Sequence, residues 1–558
     1  MLPVSLSSGR GLRPAMSLLC LVLALSVAGA DAQADLVRGP YLQLGTDEAM
    51  TVRWRTDMPA DSRVAWGLSP ESLNEALDDA TVTTEHELRI TGLEPSTVYY
   101  YAVGSTTETL AGGDEGHYFR TAPVPGSETP FRAWILGDSG AGGAAAVRDA
   151  YDAFTGARHT DLWLMLGDNA YPNGSDLAYQ IAVFDMFPEM LRTSALWSTR
   201  GNHEDFEADY YGMFTFPTAG EAGGVPSGSE AYYSFDFANV HFVCLDTEAT
   251  SLDPGSPMLT WLVGDLAAST SPWTIAFFHH PPYSRGTHNS DNPIDSGGRM
   301  VAVRENVLPI LEAHGVDLVF SGHSHSYERS FLLDGHYGTS DTLDPSMILD
   351  GGDGREDGTG AYGKTAGPHR GAVYCVAGSS GGAGGGPLDH PAMFTSLNVM
   401  GSVVLDVAVD RIDVTFVDST GGVSDYYTLF TDPGVVETVG ADLDCIPSTG
   451  TLPFSTTMSV TLSNAYEGTA RTVAASLDAG LASGQQITSW RAGFTNVPAA
   501  GEFSTSWVQA LPALATLVGE SSFSLRAEDV TAAPFNQPPY PPAGDTDTAS
   551  CTVTGVHP

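Results

Sequence analysis

Residues 131–140 read Phe131-Arg132-Ala133-Trp134-Ile135-Leu136-Gly137-Asp138-Ser139-Gly140, a strand-forming run closed by Gly-Asp. A short, nearly continuous apolar run bounded by glycine predicts a strand buried on both faces. The same construction recurs along the chain. A run over 161–166 ends in Gly167-Asp168-Asn169-Ala170-Tyr171, and one over 195–199 leads into Gly201-Asn202-His203-Glu204. A run over 273–278 ends in His279-His280-Pro281-Pro282, and one over 316–320 leads into Gly322-His323-Ser324-His325. A further apolar run covers 240–245, and amphipathic stretches at 144–154 and 301–314 have helical spacing. Strands alternating with helices predict a sheet covered on both faces, with the strand ends gathered at one edge where sites form. Glycine ahead of a ligand lets the backbone turn tightly and leaves room for ions. One Gly-Asp or Gly-His-x-His occurs in ordinary turns. Several together, each at a strand end, point to a metal site with oxygen and nitrogen ligands.

This series resembles the calcineurin-like metallophosphoesterase superfamily throughout residues 131–430. The resemblance implies an α/β catalytic domain of the αββα-sandwich type over 131–432. One departure narrows it. Many members place a metal-binding His two residues after the first Asp, where this chain has Gly140; the second motif instead supplies Tyr171, three residues after Asp168. Gly-Asp-x-x-Tyr, with Gly-Asn-His-Glu and the run Gly322–Arg329 (Gly-His-x-His-x-Tyr-Glu-Arg), looks like the purple acid phosphatases. That pattern implies a binuclear centre in which Asp138, Asp168, Tyr171 and His325 bind Fe(III). Asp168 then bridges to a divalent ion, Zn, Mn or Fe, held also by Asn202, His279 and His323. Carboxylate and phenolate oxygens suit a hard trivalent ion and imidazoles suit the divalent one.

The two ions bring five positive charges, of which two carboxylates and a phenolate cancel three, so the centre attracts a phosphate dianion. Metals of this kind make water nucleophilic in mild acid. The implied reaction is hydrolysis of small-molecule phosphate monoesters; a phosphodiesterase or nucleotide hydrolase on the same centre is the nearest alternative. His203, beside Asn202, is the candidate to contact the phosphoryl group or protonate the leaving group. His288, nine residues after His279, resembles the family's substrate-loop His, with Asn289 where plant members carry a second His. His280 follows a ligand on a strand and is expected to point to the opposite face, as a structural residue. Glu204 and Arg329 are expected to orient ligands.

The flanks have a different grammar. Residues 36–123 hold short alternating segments, at 50–56, 63–68 and 86–90, then Leu93-Glu94-Pro95-Ser96-Thr97-Val98-Tyr99-Tyr100-Tyr101-Ala102-Val103. This resembles a fibronectin type III domain, an all-β sandwich in which a Tyr closes a strand corner by bonding back to the backbone. Pro123–Pro130 is a linker by composition. Residues 434–558 return to short alternating strands and predict a C-terminal β-sandwich, with Trp490 and Trp507 in its core and Pro538–Pro542 as a stiff loop. Two glycine-rich stretches, 351–367 and 378–386, read as loops at the site rim; Ca²⁺ binding by Asp350, Asp353 and Asp357 is the alternative for the first.

The chain has 558 residues, enough for several domains, and a formal charge of −43. Such a surface repels nucleic-acid backbones and anionic membranes at long range, which argues against a nucleic-acid-binding module while leaving a nucleotide open as substrate. Arg10, Arg13 and the apolar run 16–27, followed by small residues, read as a signal peptide over 1–34, with an uncleaved anchor as the alternative. No later stretch is long and apolar enough to span a bilayer as a helix. The expected product is secreted or periplasmic. Export permits a Cys445–Cys551 disulfide, whereas Cys244 and Cys375 sit in apolar strands and read as buried hydrophobes. A non-catalytic binding or adhesion protein is the remaining reading, and the complete ligand set opposes it.

Overall fold

The computed structural model describes residues 34–365 and 367–430 with their side chains, and beyond them backbone strands between 439 and 556. The expected signal peptide, Trp490, Trp507, the Pro538–Pro542 loop and the Cys445–Cys551 pair lie outside the described side chains. No described helix is long and apolar enough to cross a membrane.

Residues 36–120 form a six-stranded β-domain. The segments expected at 50–56 and 63–68 are one long strand, Ala49–Gly67, whose register shifts between Arg55 and Ser62. That irregularity bends the strand, so its first half pairs with Leu36–Gln43 and its second with Val98–Gly104. Val52, Trp54, Val64, Ile90, Tyr101 and Phe119 then share one core. Tyr99 closes its corner as expected, its phenol oxygen accepting the Glu94 N–H at 3.0 Å.

The central region stacks two seven-stranded sheets. Phe131–Leu136, Leu162–Met165 and Ala195–Ser198 run parallel at one end of the first sheet. The second contains Val240–Cys244, Trp273–Phe278, Leu318–Ser321 and Val373–Ala377 as successive parallel neighbours. Alternation divides the side chains: Phe242, Ile275, Phe277, Phe320 and Cys375 face the other sheet, and Val243, Ala276, Phe278, Val319 and Val376 face the helices. The helix Ala144–Thr155 covers the first sheet, with Tyr151 stacked on Trp134 at 4.3 Å. The result is helix, sheet, sheet, helix. Cys244 and Cys375 are buried free thiols. The helical stretch expected over 301–314 is a chain of short turns over Arg299–Ala313. Sequence reading missed the antiparallel strands Gly401–Val407 and Arg411–Asp418, which extend the first sheet from Phe131–Leu136, and Val423–Thr431 and Tyr362–Lys364 complete it. The C-terminal strands pair into a three-stranded and a five-stranded set.

The β-domain braces the site side of the central domain. Arg38, fully buried, donates to Gln180 and Asp176 at 2.9 Å each, and its guanidinium lies over the Phe184 ring. Arg55 reaches the same Asp176 carboxylate with two bonds of 2.7 Å, and the Tyr41 hydroxyl donates to the Met213 carbonyl. These contacts fall on the turns that follow Tyr171 and His203.

Three buried charges complete the frame. Lys364, the chain's one lysine, pairs with Asp317 at 2.8 Å and donates to the Gly315 carbonyl. Arg329, expected beside the metal ligands, turns the other way. It pairs with buried Asp425 at 2.7 and 3.0 Å, between the rings of Phe394 and Tyr427. Its strand, Tyr327–Ser330, alternates, so the site-facing position falls on Glu328 instead. Replacing Arg329 with Met should leave Asp425 with Arg355 and the Tyr327 hydroxyl as its remaining partners and destabilise the central domain by about 1–3 kcal/mol in denaturant titrations.

His241 lies between Asp236 at 2.7 Å and Asp265 at 2.9 Å. Burial disfavours its charge, but the two carboxylates prevail and hold its pKa up to about 9, from 6.5. Its contribution to stability is therefore complete below pH 6.5 and gone above about 9. Between those limits it falls by about 1.4 kcal/mol per pH unit. His241→Gln should flatten the pH dependence of the unfolding midpoint across that window; an unchanged slope would remove His241 from the account.

Candidate metal centre

Each predicted ligand sits at a strand end, as its motif placed it. Asp138 and Asp168 follow adjacent parallel strands of the first sheet, Asn202 and His203 follow the third, and His279 and His323 follow neighbouring strands of the second. Asp138, Asp168 and His323 occupy left-handed backbone, with φ of 54°, 53° and 68°. Non-glycine residues take that conformation at a cost, typically where the surroundings impose it. Here each turn is held from outside: the Asp138 N–H donates to the Gly167 carbonyl, and the His323 N–H to Asp138 Oδ2 at 2.7 Å.

The side chains gather into two groups of donor atoms. In the first, the Tyr171 hydroxyl lies 3.0 Å from His325 Nε2, 3.1 Å from Asp168 Oδ2 and 3.4 Å from Asp138 Oδ1. In the second, Asn202 Oδ1 lies 3.0 Å from His279 Nε2 and 2.8 Å from His323 Nδ1. The two imidazole nitrogens are 3.2 Å apart, and His279 Nε2 is 3.5 Å from Asp168 Oδ1. Asp168 thus gives one oxygen to each group. Ligands that share an ion at 2.0–2.2 Å stand about 3 Å apart when adjacent, so both groups fit a metal. Charge points the same way. Asp138 and Asp168 are 1% and 2% exposed, and their described ion-pair partners are histidines alone. Buried carboxylates so placed need a cation. Burial, then the charges of Asp138 and Asp168, push the Tyr171 phenol far above its usual pKa, so only a bound cation makes it a phenolate.

Surrounding groups fix which nitrogen faces the centre. His279 Nδ1–H donates to the Leu166 carbonyl at 2.9 Å, leaving Nε2 for the ion. His203 Nδ1–H donates to the Pro172 carbonyl at 2.8 Å, which leaves Nε2 facing Asp168 at 3.9 Å. The His203 side chain is 40% exposed, so it can reach a substrate. His288 stacks on His323 with ring centres 3.9 Å apart and donates Nδ1–H to Asp295. His280 lies beyond the last strand residue, so alternation no longer governs it. Its buried ring rests 4.5 Å from that of His323, with Nδ1 at 3.1 Å from Thr247.

Glu204 ties the loops together. Its carboxylate accepts the N–H groups of Gly201, Asp168 and Asn169 at 2.6, 2.9 and 2.9 Å, and the Tyr179 hydroxyl at 3.2 Å. Burial and then the charge of Asp168 raise its pKa to about 7. Gly140 explains the missing histidine: a Cβ there would stand 2.6 Å from the Tyr171 nitrogen. The position is empty so that the tyrosine loop can close on it.

Sequence reasoning missed Glu328, which accepts the hydroxyls of Ser284 at 2.6 Å and Ser326 at 2.9 Å and anchors the His288 loop. The signal was in the Tyr-Glu-Arg triplet, read one residue off. It also missed Thr287, whose hydroxyl accepts the His325 N–H at 2.9 Å. The glycine-rich loop at 378–386 does line the rim, with the Gly384 N–H on the His325 carbonyl. In the other loop Asp353 accepts from Arg355 and Thr359 of its own turn, the mark of loop structure rather than of a Ca²⁺ site.

Comparison with known proteins agrees with this geometry. Residues 131–327 match the calcineurin-like phosphoesterase family, and residues 37–121 match the purple acid phosphatase N-terminal domain. Purple acid phosphatase 18 of Arabidopsis thaliana is 32% identical over 343 residues, covering 57% of this chain and 71% of the relative. Purple acid phosphatase 15 of the same plant is 33% identical over 281 residues, covering 44% of this chain and 49% of the relative, about half its length. A purple acid phosphatase from yellow lupin (Lupinus luteus) seeds shares the fold, with a TM-score of 0.56 at 17% identity over 71% of this chain and 74% of that one. With two adjacent donor groups that share Asp168, a tyrosine in one of them, and a purple acid phosphatase 32% identical and matched over 71% of its length, the chain belongs to the purple acid phosphatase family.

Proposed function

We propose that the protein is an exported phosphatase that hydrolyses phosphate monoesters on a binuclear metal centre. The observation that carries this is the sharing of Asp168 between two complete donor groups. In this reading Asp138, Asp168, Tyr171 and His325 hold Fe(III), and Asp168, Asn202, His279 and His323 hold Zn, Mn or Fe(II). When bound, such a pair supplies Lewis-acid activation of water and of the phosphoryl group. The chain's own residues do the rest. His203 Nε2 points over the bridging carboxylate, where it can bond a phosphoryl oxygen or give a proton to the departing alkoxide. His288 contributes from the opposite loop. Glu204 fixes the loop carrying Asp168, and Glu328 fixes that carrying His288. Residues 1–34 act as a signal peptide, 36–123 as the bracing domain, 131–432 as the catalytic domain, and 434–558 as a β-sandwich accessory domain.

Metal analysis of the purified protein should find two equivalents per chain. His323→Ala and His325→Ala should each lose one and abolish turnover. Fewer than one and a half equivalents after reconstitution, with no hydrolysis, would sink the binuclear reading. A monoester and a diester with the same leaving group should show the monoester preferred.

Tyr171→Phe keeps the ring and removes its oxygen. It should bleach a violet phenolate-to-iron absorption band and weaken iron retention. A fully active, iron-loaded parent without visible absorption would make Tyr171 a packing residue.

His203→Ala should slow turnover by about 10²–10⁴-fold, the range for a positioned proton donor. The loss should shrink for 4-nitrophenyl phosphate, whose leaving group needs little help. Equal losses for good and poor leaving groups would assign His203 to phosphate positioning.

A further inference from the structure

The loop Asp295–Gly298 carries an unusual backbone. Ser296, Gly297 and Gly298 are left-handed in succession, with φ of 52°, 62° and 81°. A serine is unfavourable in that conformation, and its position aims both Asp295 and Ser296 back at the site. Asp295 Oδ1 accepts Nδ1–H of His288 at 2.8 Å and the Ser296 hydroxyl at 3.0 Å, while Oδ2 accepts the Asn289 N–H at 2.9 Å. Ser296 Oγ in turn touches Nε2 of His323. His323 Nδ1 faces Asn202 Oδ1 and His279 Nε2, both lone-pair donors to an ion, so in the metal-loaded protein its proton sits on Nε2 and is given to Ser296. The bonds therefore run in one sense from each ring to one carboxylate: His323 Nε2–H to Ser296, Ser296 O–H to Asp295, and His288 Nδ1–H to Asp295.

We propose that Asp295 is a positioning residue that sets two imidazoles at once, His288 directly and His323 through Ser296. The rings are stacked at 3.9 Å, so without a common anchor each could rotate against the other. With it, His288 presents Nε2 and His323 presents Nδ1. This couples the substrate loop to the divalent half of the centre, and it rests on the reading of His323 as a metal ligand.

The test uses full-length protein labelled with ¹⁵N at histidine, with His288 and His323 assigned by His→Gln variants. Nitrogen-correlated NMR of Zn²⁺-loaded protein should show His288 protonated at Nδ1 and His323 at Nε2. Asp295→Asn should move the His288 proton to Nε2, and Ser296→Ala should remove the single His323 tautomer. In Zn²⁺-loaded protein both variants should release zinc to a chelator about 10–100-fold faster, the range for a lost outer-shell partner. Their double variant should be no worse than the poorer single one, because both act through one chain of bonds. Unchanged tautomers in both variants, or zinc release at the parental rate, would overturn the proposal. A parent that shows these tautomers and holds zinc yet hydrolyses no phosphate ester would overturn the proposed function and leave this one standing.

Discussion

Asp138 and Asp168 stand side by side at the ends of adjacent parallel strands, nearly sealed from water and beyond the reach of any described arginine or lysine. Two ionised carboxylates in such a place are untenable without compensating charge. Everything around them reads as an answer to that constraint. The left-handed turns aim them inward, Glu204 holds the backbone of the second through its own buried carboxylate, and imidazoles with committed N–H groups approach from the facing sheet. The site is assembled by the fold and completed by the cations.

The part of this visible in the sequence was the part governed by period and punctuation. Buried parallel strands are short apolar runs, and glycine marks where each stops, so the residues just past the glycines could be assigned to one edge. The tyrosine was legible because Gly140 left a gap where a histidine usually stands. What failed was orientation within a motif. Arg329 and Glu328 are neighbours on a strand, and nothing local says which faces the loops; the aromatic pair Phe394 and Tyr427, distant in sequence, draws the arginine away. His280 turns toward His323 rather than to the opposite face because alternation stops where the strand ends. Asp295 had no signature at all, since its role depends on three successive left-handed residues that only the folded loop reveals.

The N-terminal β-domain bears on the site through a few long-range contacts. Arg38 and Arg55 converge on Asp176, and Asp176 opens the helical turn whose Tyr179 donates to Glu204. A continuous path of bonds thus joins the β-domain to the backbone of Asp168. The position of the carboxylate that both donor groups share therefore rests on contacts from two domains.

Lys364 also limits how the protein can be modified. It is the chain's one lysine, and its side chain is 2% exposed, locked onto Asp317 inside the central domain. The described surface therefore offers no lysine amine to acylating reagents, to reducing sugars or to the enzymes that acetylate and conjugate lysines. Such chemistry would first have to unfold the sheet edge around residue 364. Attachment to a support or a label can instead use carboxylates, which this chain has in abundance, and the folded protein should be spared the slow glycation of lysines that alters lysine-rich enzymes.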